Sequence, residues 1–149
     1  MQLRRLHSLT QRGDTIVEVL IAIAVISMIL GGAFILTNRS LQGTRAAQER
    51  LNAIKLVEGQ LEQIKNLSRT NHNAIFGGST PGSFCIDTSS TVKSASDASC
   101  KVNSDGAPTG ADPAFNLSVS RAGNTFTVKA VWNSVLNNQD NVEMRYNVY

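Results

Sequence analysis

One carboxylate stands where a carboxylate is costly. Glu18 is followed by Val19–Leu36, eighteen residues with no charged side chain and a single hydroxyl, that of Ser27. On membrane-insertion scales a charge deep in a bilayer costs ~2.5–3.5 kcal/mol, so such a group needs a partner or a task. The dipeptide Gly13-Asp14 lies one helical turn upstream of Glu18. A cut after Gly13 would give Asp14 a free α-amino group, a positive charge within reach of the Glu18 carboxylate. A helix N-terminus favours an anion in addition. The chemistry these residues suggest is a cleavage done to the chain, followed by pairing of a carboxylate with an amine.

Other residues that could do chemistry make a thinner case. His7 lies in the segment a cut would remove, and His72 sits in Asn71-His72-Asn73, a turn-type context, with no convergent partner to name. No Ser/His/Asp, Cys/His or Cys-x-x-Cys pattern is present, so no enzyme activity, cofactor or metal is expected. Asp97, Asn103, Asp105 and Asp112 offer hard oxygen ligands in a Gly-rich stretch, but not at EF-hand spacing, and read as solvated turns. Phe126 and Trp132 read as core rather than a sugar platform. Asn66-Leu67-Ser68 and Asn116-Leu117-Ser118 match glycosylation sequons, which arise often by chance. Cys85 and Cys100 lie in the polar half. Two cysteines alone leave both reduced thiols and a disulfide open. If that half is exported, pairing is the default, with ~3 kcal/mol of stabilisation in the chain-entropy model.

Positioning Glu18 requires a helix. Residues 1–13 are short, basic and end in Gly, and read as a targeting leader. The chain has 14 Lys+Arg and 11 Asp+Glu, and Arg4, Arg5 and Arg12 of the leader account for the whole excess. The basic balance therefore belongs to the leader and argues against a nucleic-acid-binding domain. A basic segment before an apolar run holds that end at the cytoplasmic face. The apolar run, as a helix, reaches ~27–30 Å, about one hydrocarbon core. Gly31-Gly32 interrupts it; each Gly costs ~1 kcal/mol relative to Ala, so the pair either loosens the helix or permits close helix packing.

Residues 39–69 contain no Pro, and Ala47, Leu51, Ile54, Val57, Leu61 and Ile64 recur at three- and four-residue steps. Gln60, Glu58, Glu62 and Lys65 fall off that stripe. One nearly continuous helix is expected from about Thr15 to about Ser68, apolar all round in its first half and on one side in its second. Thr70–Gly82 carries turn chemistry. A strand is expected at Ser83–Asp87, and a loop at Thr88–Pro113.

Beyond Pro113 the period changes to two. Leu117 and Val119, then Phe126, Val128, Ala130 and Trp132, then Val142, Met144, Tyr146 and Val148 alternate with polar residues. This predicts an antiparallel meander of about three strands with one apolar face, the turns at Arg121–Asn124 and Leu136–Asn141. Such a sheet needs a cover, and the 47–64 stripe is the large candidate. The fold class is α+β, a long N-terminal helix packed on a small antiparallel β-sheet head. Four segments result: leader 1–13, transmembrane helix 14–38, amphipathic helix 39–69 and β-rich head 70–149.

A short basic leader ending in Gly13, a glutamate at the fifth position after it, and about twenty apolar residues resemble the signal of type IV pilins and type II secretion pseudopilins. The resemblance is close over residues 1–40 and architectural beyond. It implies cleavage at Gly13–Asp14 by a prepilin peptidase, with N-methylation of the new terminus at Asp14. It implies that Glu18 takes the N-terminal amine of a neighbouring subunit, and that the head carries a disulfide. Its implied partners are pilin subunits, the peptidase, a pilus assembly platform and, before assembly, membrane lipid. The subunit would sit in the cytoplasmic membrane, then in a cell-surface filament. Two departures stand out: Asp14 replaces the usual Phe after the cut, and no Pro interrupts the apolar helix, a place Gly31-Gly32 could fill. Some pseudopilin heads bind calcium, which would draw on the Asp97–Asp112 cluster. The rival readings are a pseudopilin of a secretion or DNA-uptake machine, a signal peptide cut near Gly31-Gly32-Ala33, and an uncleaved anchor, the last two leaving a ligand-binding module.

Overall fold

The computed structural model describes residues 14–78, 80–109, 114–135 and 138–148. The leader, Gly13 and Asp112 lie outside the described residues. The chain forms two compact units, residues 1–41 and 42–149.

In the first unit every described residue belongs to helix α1, which runs Asp14–Thr70. From Thr15 to Leu41 each side chain is exposed, the apolar ones included. Its hydroxyls are turned inward on the backbone: Ser27 Oγ donates to the Ile23 carbonyl at 2.7 Å and Thr37 Oγ1 to the Ala33 carbonyl at 2.9 Å. Both are the i−4 back-bonds that let a hydroxyl sit on an apolar helix without needing water.

The second unit is the head. The C-terminal part of α1 lays one face on an antiparallel sheet, with Ala53, Val57, Gln60, Ile64 and Leu67 buried. That face is rotated from the expected stripe. Val57 and Ile64 are shared, Ile54 and Leu61 are half-buried, and Ala47 and Leu51 are exposed, Leu51 to 57%. Two causes act. The sheet's cover begins only near Ala53, so the first two stripe positions have nothing to pack on. The line of closest approach then passes through a polar residue, Gln60, which the periodicity of apolar residues could not select.

Helix α1 ends at Thr70, and the Asn71 N–H closes it by donating to the Leu67 carbonyl at 2.8 Å. Ser68 Oγ donates to the Lys65 carbonyl and Thr70 Oγ1 to that of Asn66. The expected turn then begins with a short helix α2, His72–Phe76, which buries Ile75. Arg121 ties α2 to the sheet: its Nη1 donates to the Ile75 carbonyl at 2.9 Å, and its guanidinium lies 5.1 Å from the Phe76 ring centre.

Six strands follow rather than four: β1 (Ser83–Ile86), β2 (Val92–Ser94), β3 (Lys101–Val102), β4 (Phe115–Ala122), β5 (Thr125–Asn133) and β6 (Gln139–Asn147). The order is β2-β1-β4-β5-β6, with β3 pairing β4 beside β1. Every pairing is antiparallel. The expected loop 88–113 thus holds two short strands and a 3-10 turn at Ala98–Cys100. Those strands are two and three residues long and polar, too brief to show a period. The β4–β5 hairpin turns at Gly123-Asn124, with Gly123 at φ +62°. A two-residue hairpin loop demands positive φ at its first central residue, which Gly supplies at no steric cost.

The expected alternation holds on the long strands. Phe126, Val128 and Ala130 are fully buried and Trp132 nearly so; Phe115, Leu117 and Val119 join them. Val142, Met144 and Val148 pack at the margin of this core. Phe126 and Trp132 are core, not a platform.

Candidate functional site: the N-terminal helix and its hold on the head

The residues that carry the candidate function sit on α1, which begins at Asp14. Glu18 is exposed in the first turns, and Val19–Leu36 follows it with every side chain exposed. This helix is long and apolar enough to cross a membrane. The combination is unusual for water. Ile16, Leu20, Ile23, Met28, Phe34 and Leu36 are each more than half exposed, so no packing among the described residues accounts for their being apolar. Burying one such side chain is worth ~1.5–3 kcal/mol, a gain that lipid or neighbouring helices would provide.

Gly31 and Gly32 are helical, and a Cβ at either would meet nothing within 4 Å. No contact among the described residues requires glycine there.

Cys85 and Cys100 form a disulfide, with Cα atoms 5.7 Å apart. It joins the end of β1 to the 3-10 turn and closes the polar segment between them. Asp97 caps that turn. Its Oδ1 accepts from the backbone N–H of Ser99 at 2.9 Å and from the Ser99 hydroxyl at 2.8 Å, and these bonds hold its carboxyl below the usual aspartate range. Asn103 Oδ1 and Asp105 Oδ1 both accept from the Ala107 N–H. The Oδ1 atoms of Asp97, Asn103 and Asp105 are thus engaged in shaping turns, and among the described residues no group of three or more His, Cys, Asp or Glu could hold a metal ion. His72 is exposed and stacks on Phe76, ring centres 4.1 Å apart.

Sequence reasoning missed Gln60. Its Nε2 donates to the Ile86 carbonyl at 2.7 Å, and its Oε1 accepts from the Ile86 N–H at 3.0 Å. The alternation of β1 explains the need. The Ser83 carbonyl and the Asp87 N–H bond toward β2, so Phe84 and Ile86 face the β4 side. There β4 pairs only Ser83 and Phe84. Ile86 would be left with a buried, unpaired N–H and C=O, and the helix supplies an amide in place of a strand. Beside this contact lies an open pocket of about 420 Å³, lined by Lys55, Gly59, Gln60, Ile86, Asp105 and Gly106 among others. The signal that could have located Gln60 is the spacing 53-57-60-64-67, an unbroken four-three alternation once polar residues are admitted.

No curated protein and no solved structure matches the chain. Residues 9–34 match the prokaryotic N-terminal methylation motif, the prepilin-type signal. With Glu18 and the exposed apolar helix inside that span, the chain carries the N-terminal signal of a type IV pilin-like or pseudopilin precursor.

Proposed function

We propose that this chain is a structural subunit of a type IV pilus-like filament. The observation that carries the reading is the methylation motif coinciding with a helix whose apolar stretch is left unburied by the described residues. In this mechanism the basic leader keeps the N-terminus in the cytoplasm while the head crosses the membrane. A prepilin peptidase cuts between Gly13 and Asp14, and the new terminus is methylated. The Val19–Leu36 helix then moves from lipid into a filament core at little hydrophobic cost, because both surroundings are apolar. Glu18 accepts the amine of a neighbouring subunit, so that neither charge is left alone in a low-dielectric core. Gly31-Gly32 is the place where a neighbour's helix approaches closely or the helix yields.

Intact mass and N-terminal sequencing of the membrane-extracted protein test the processing. A terminus at Asp14 is expected, and one near Phe34 or at Met1 refutes the mechanism. Glu18→Ala should leave the protein stable in the membrane yet absent from sheared filaments; normal incorporation would remove the pairing role. Surface filaments lost on deletion of the gene distinguish a pilus from a secretion or DNA-uptake pseudopilus.

A further inference from the structure

Among the described residues the head has one long open sheet edge. β6 is the last strand in the sheet order, nine residues long, and pairs β5 along its whole length in a single unbroken register. At the opposite side β2 has three residues. Natural sheets guard exposed edges with charged side chains, Lys above all, or with Pro, bulges or shortness. Gln139–Asn147 contains no Lys and no Pro, and its register shows no bulge; its charges are Asp140, Glu143 and Arg145, of both signs.

The direction of its free hydrogen-bonding groups follows from two bonds. Val148 N–H donates to the Asn124 carbonyl at 3.0 Å, and the Asn138 carbonyl accepts from the Ser134 N–H at 2.9 Å. Both lie on the β5 side. Because a strand's backbone groups alternate, the even-numbered residues of β6 bond to β5. The odd-numbered residues 139, 141, 143, 145 and 147 point theirs outward.

We propose that this edge pairs antiparallel with the same edge of a second copy, with Met144 on the two-fold axis. Charge selects the register: within the strand Arg145 Nη2 donates to Glu143 Oε1 at 3.0 Å, and in the dimer that pair is exchanged for two across the seam. Centring on Met144 sets Glu143 opposite the second copy's Arg145, and Arg145 opposite the second copy's Glu143, as hydrogen-bonded pairs. Shifting the centre by one residue sets Glu143 against Glu143, or Arg145 against Arg145. Shifting it by two leaves Glu143 and Arg145 facing uncharged residues. On the inner face the Met144 register sets Val142 against the second copy's Tyr146, twice, and the half-buried Met144 pair between them. The apolar margin of one core thereby continues into the next. The contact is isologous and closes on itself, so it is not the repeating contact of a helical assembly; it joins two heads laterally.

The test uses the full chain in detergent micelles, so its outcome does not depend on filament formation. Met144→Cys should oxidise to a covalent dimer, since non-hydrogen-bonded cross-strand pairs bring Cα atoms to ~4.5 Å, within disulfide range. Lys129→Cys, on the central strand β5, should not. Glu143→Arg and Arg145→Glu should each weaken dimerisation in sedimentation by about 2- to 30-fold, from two cross-strand ion pairs. The double swap should restore it, with near-ultraviolet circular dichroism confirming an intact head throughout. Equal cross-linking at 129 and 144, indifference to the single reversals, failure of the swap to rescue, or cross-linking of Met144→Cys in cells to a different polypeptide would each overturn the proposal.

Discussion

Replacing Gln60 by Leu keeps the volume of the side chain and removes the amide that serves Ile86. The residue pair is deep: Gln60 is 6% exposed and Ile86 2%. Two buried backbone groups would lose their partners at ~1–3 kcal/mol each, and the better burial of Leu returns part of it, for a net loss of about 2–4 kcal/mol. In a unit of roughly 100 residues, 1 kcal/mol moves the melting temperature about 4–8 °C, so a drop of about 10 °C or more is expected. The adjoining pocket sets the lower bound, because water entering from it would satisfy the orphaned groups and bring the cost toward ~1 kcal/mol. The assay is thermal unfolding of the full chain in detergent, followed by near-ultraviolet circular dichroism, to which buried Trp132 contributes. Gln60→Glu adds a sign test: its carboxylate opposes the Ile86 carbonyl at neutral pH, whereas the protonated acid regains a donor, so this variant should recover stability as pH falls. A Gln60→Leu chain that melts within experimental error of the parent would refute the reasoning.

Ile64→Ala should destabilise the head by about 2–5 kcal/mol, because the side chain is wholly buried, while exposed Leu51→Ala should fall within ~0.5 kcal/mol; equal effects in denaturant titration would restore the stripe read from periodicity. Cys85→Ser should cost about 3 kcal/mol, as expected for opening a short loop, and mild reduction of the parent should match it. Ser134→Ala should be neutral or slightly stabilising, since the Ser134 hydroxyl is buried with no hydrogen-bond partner among the described residues. Asp97 has a depressed pKa in the fold, so the stability it contributes is complete above the unfolded-chain value of ~3.9 and is lost as pH falls through its lower folded value. A carboxyl titration by nuclear magnetic resonance should place its midpoint below those of unbonded aspartates, and a midpoint at the ordinary value would remove the capping role.

The long helix and the three long strands were legible because each repeats its period several times: β5 alone places four apolar residues on one face. Gly13-Asp14 and Glu18 stand out for a different reason, the contrast between one carboxylate and eighteen uncharged neighbours; the cleavage and the pairing assigned to them belong to the proposed mechanism. What escaped was short or polar. β2 and β3 are held by register and by the disulfide rather than by any pattern of their own. Gln60 reads as a surface residue until the end of β1 is seen to lack a neighbour. The rotation of the helix face escaped for the same reason, since a periodicity of apolar residues alone does not admit polar Gln60 to the buried line.

The buried line from Ala53 to Leu67 also bears on where the protein can be divided. Those residues cover the sheet, and upstream of them Glu49 accepts from the Val135 N–H at 3.4 Å, so a head excised after the helix would expose the faces of Phe84, Phe126 and Val128. The two compact units divide between Leu41 and Gln42, within α1 and next to Gly43. A splice that keeps residues 42–149 together keeps Gln60 on Ile86, whereas one residue inserted between Ala53 and Gln60 would turn those two buried positions about 100° apart.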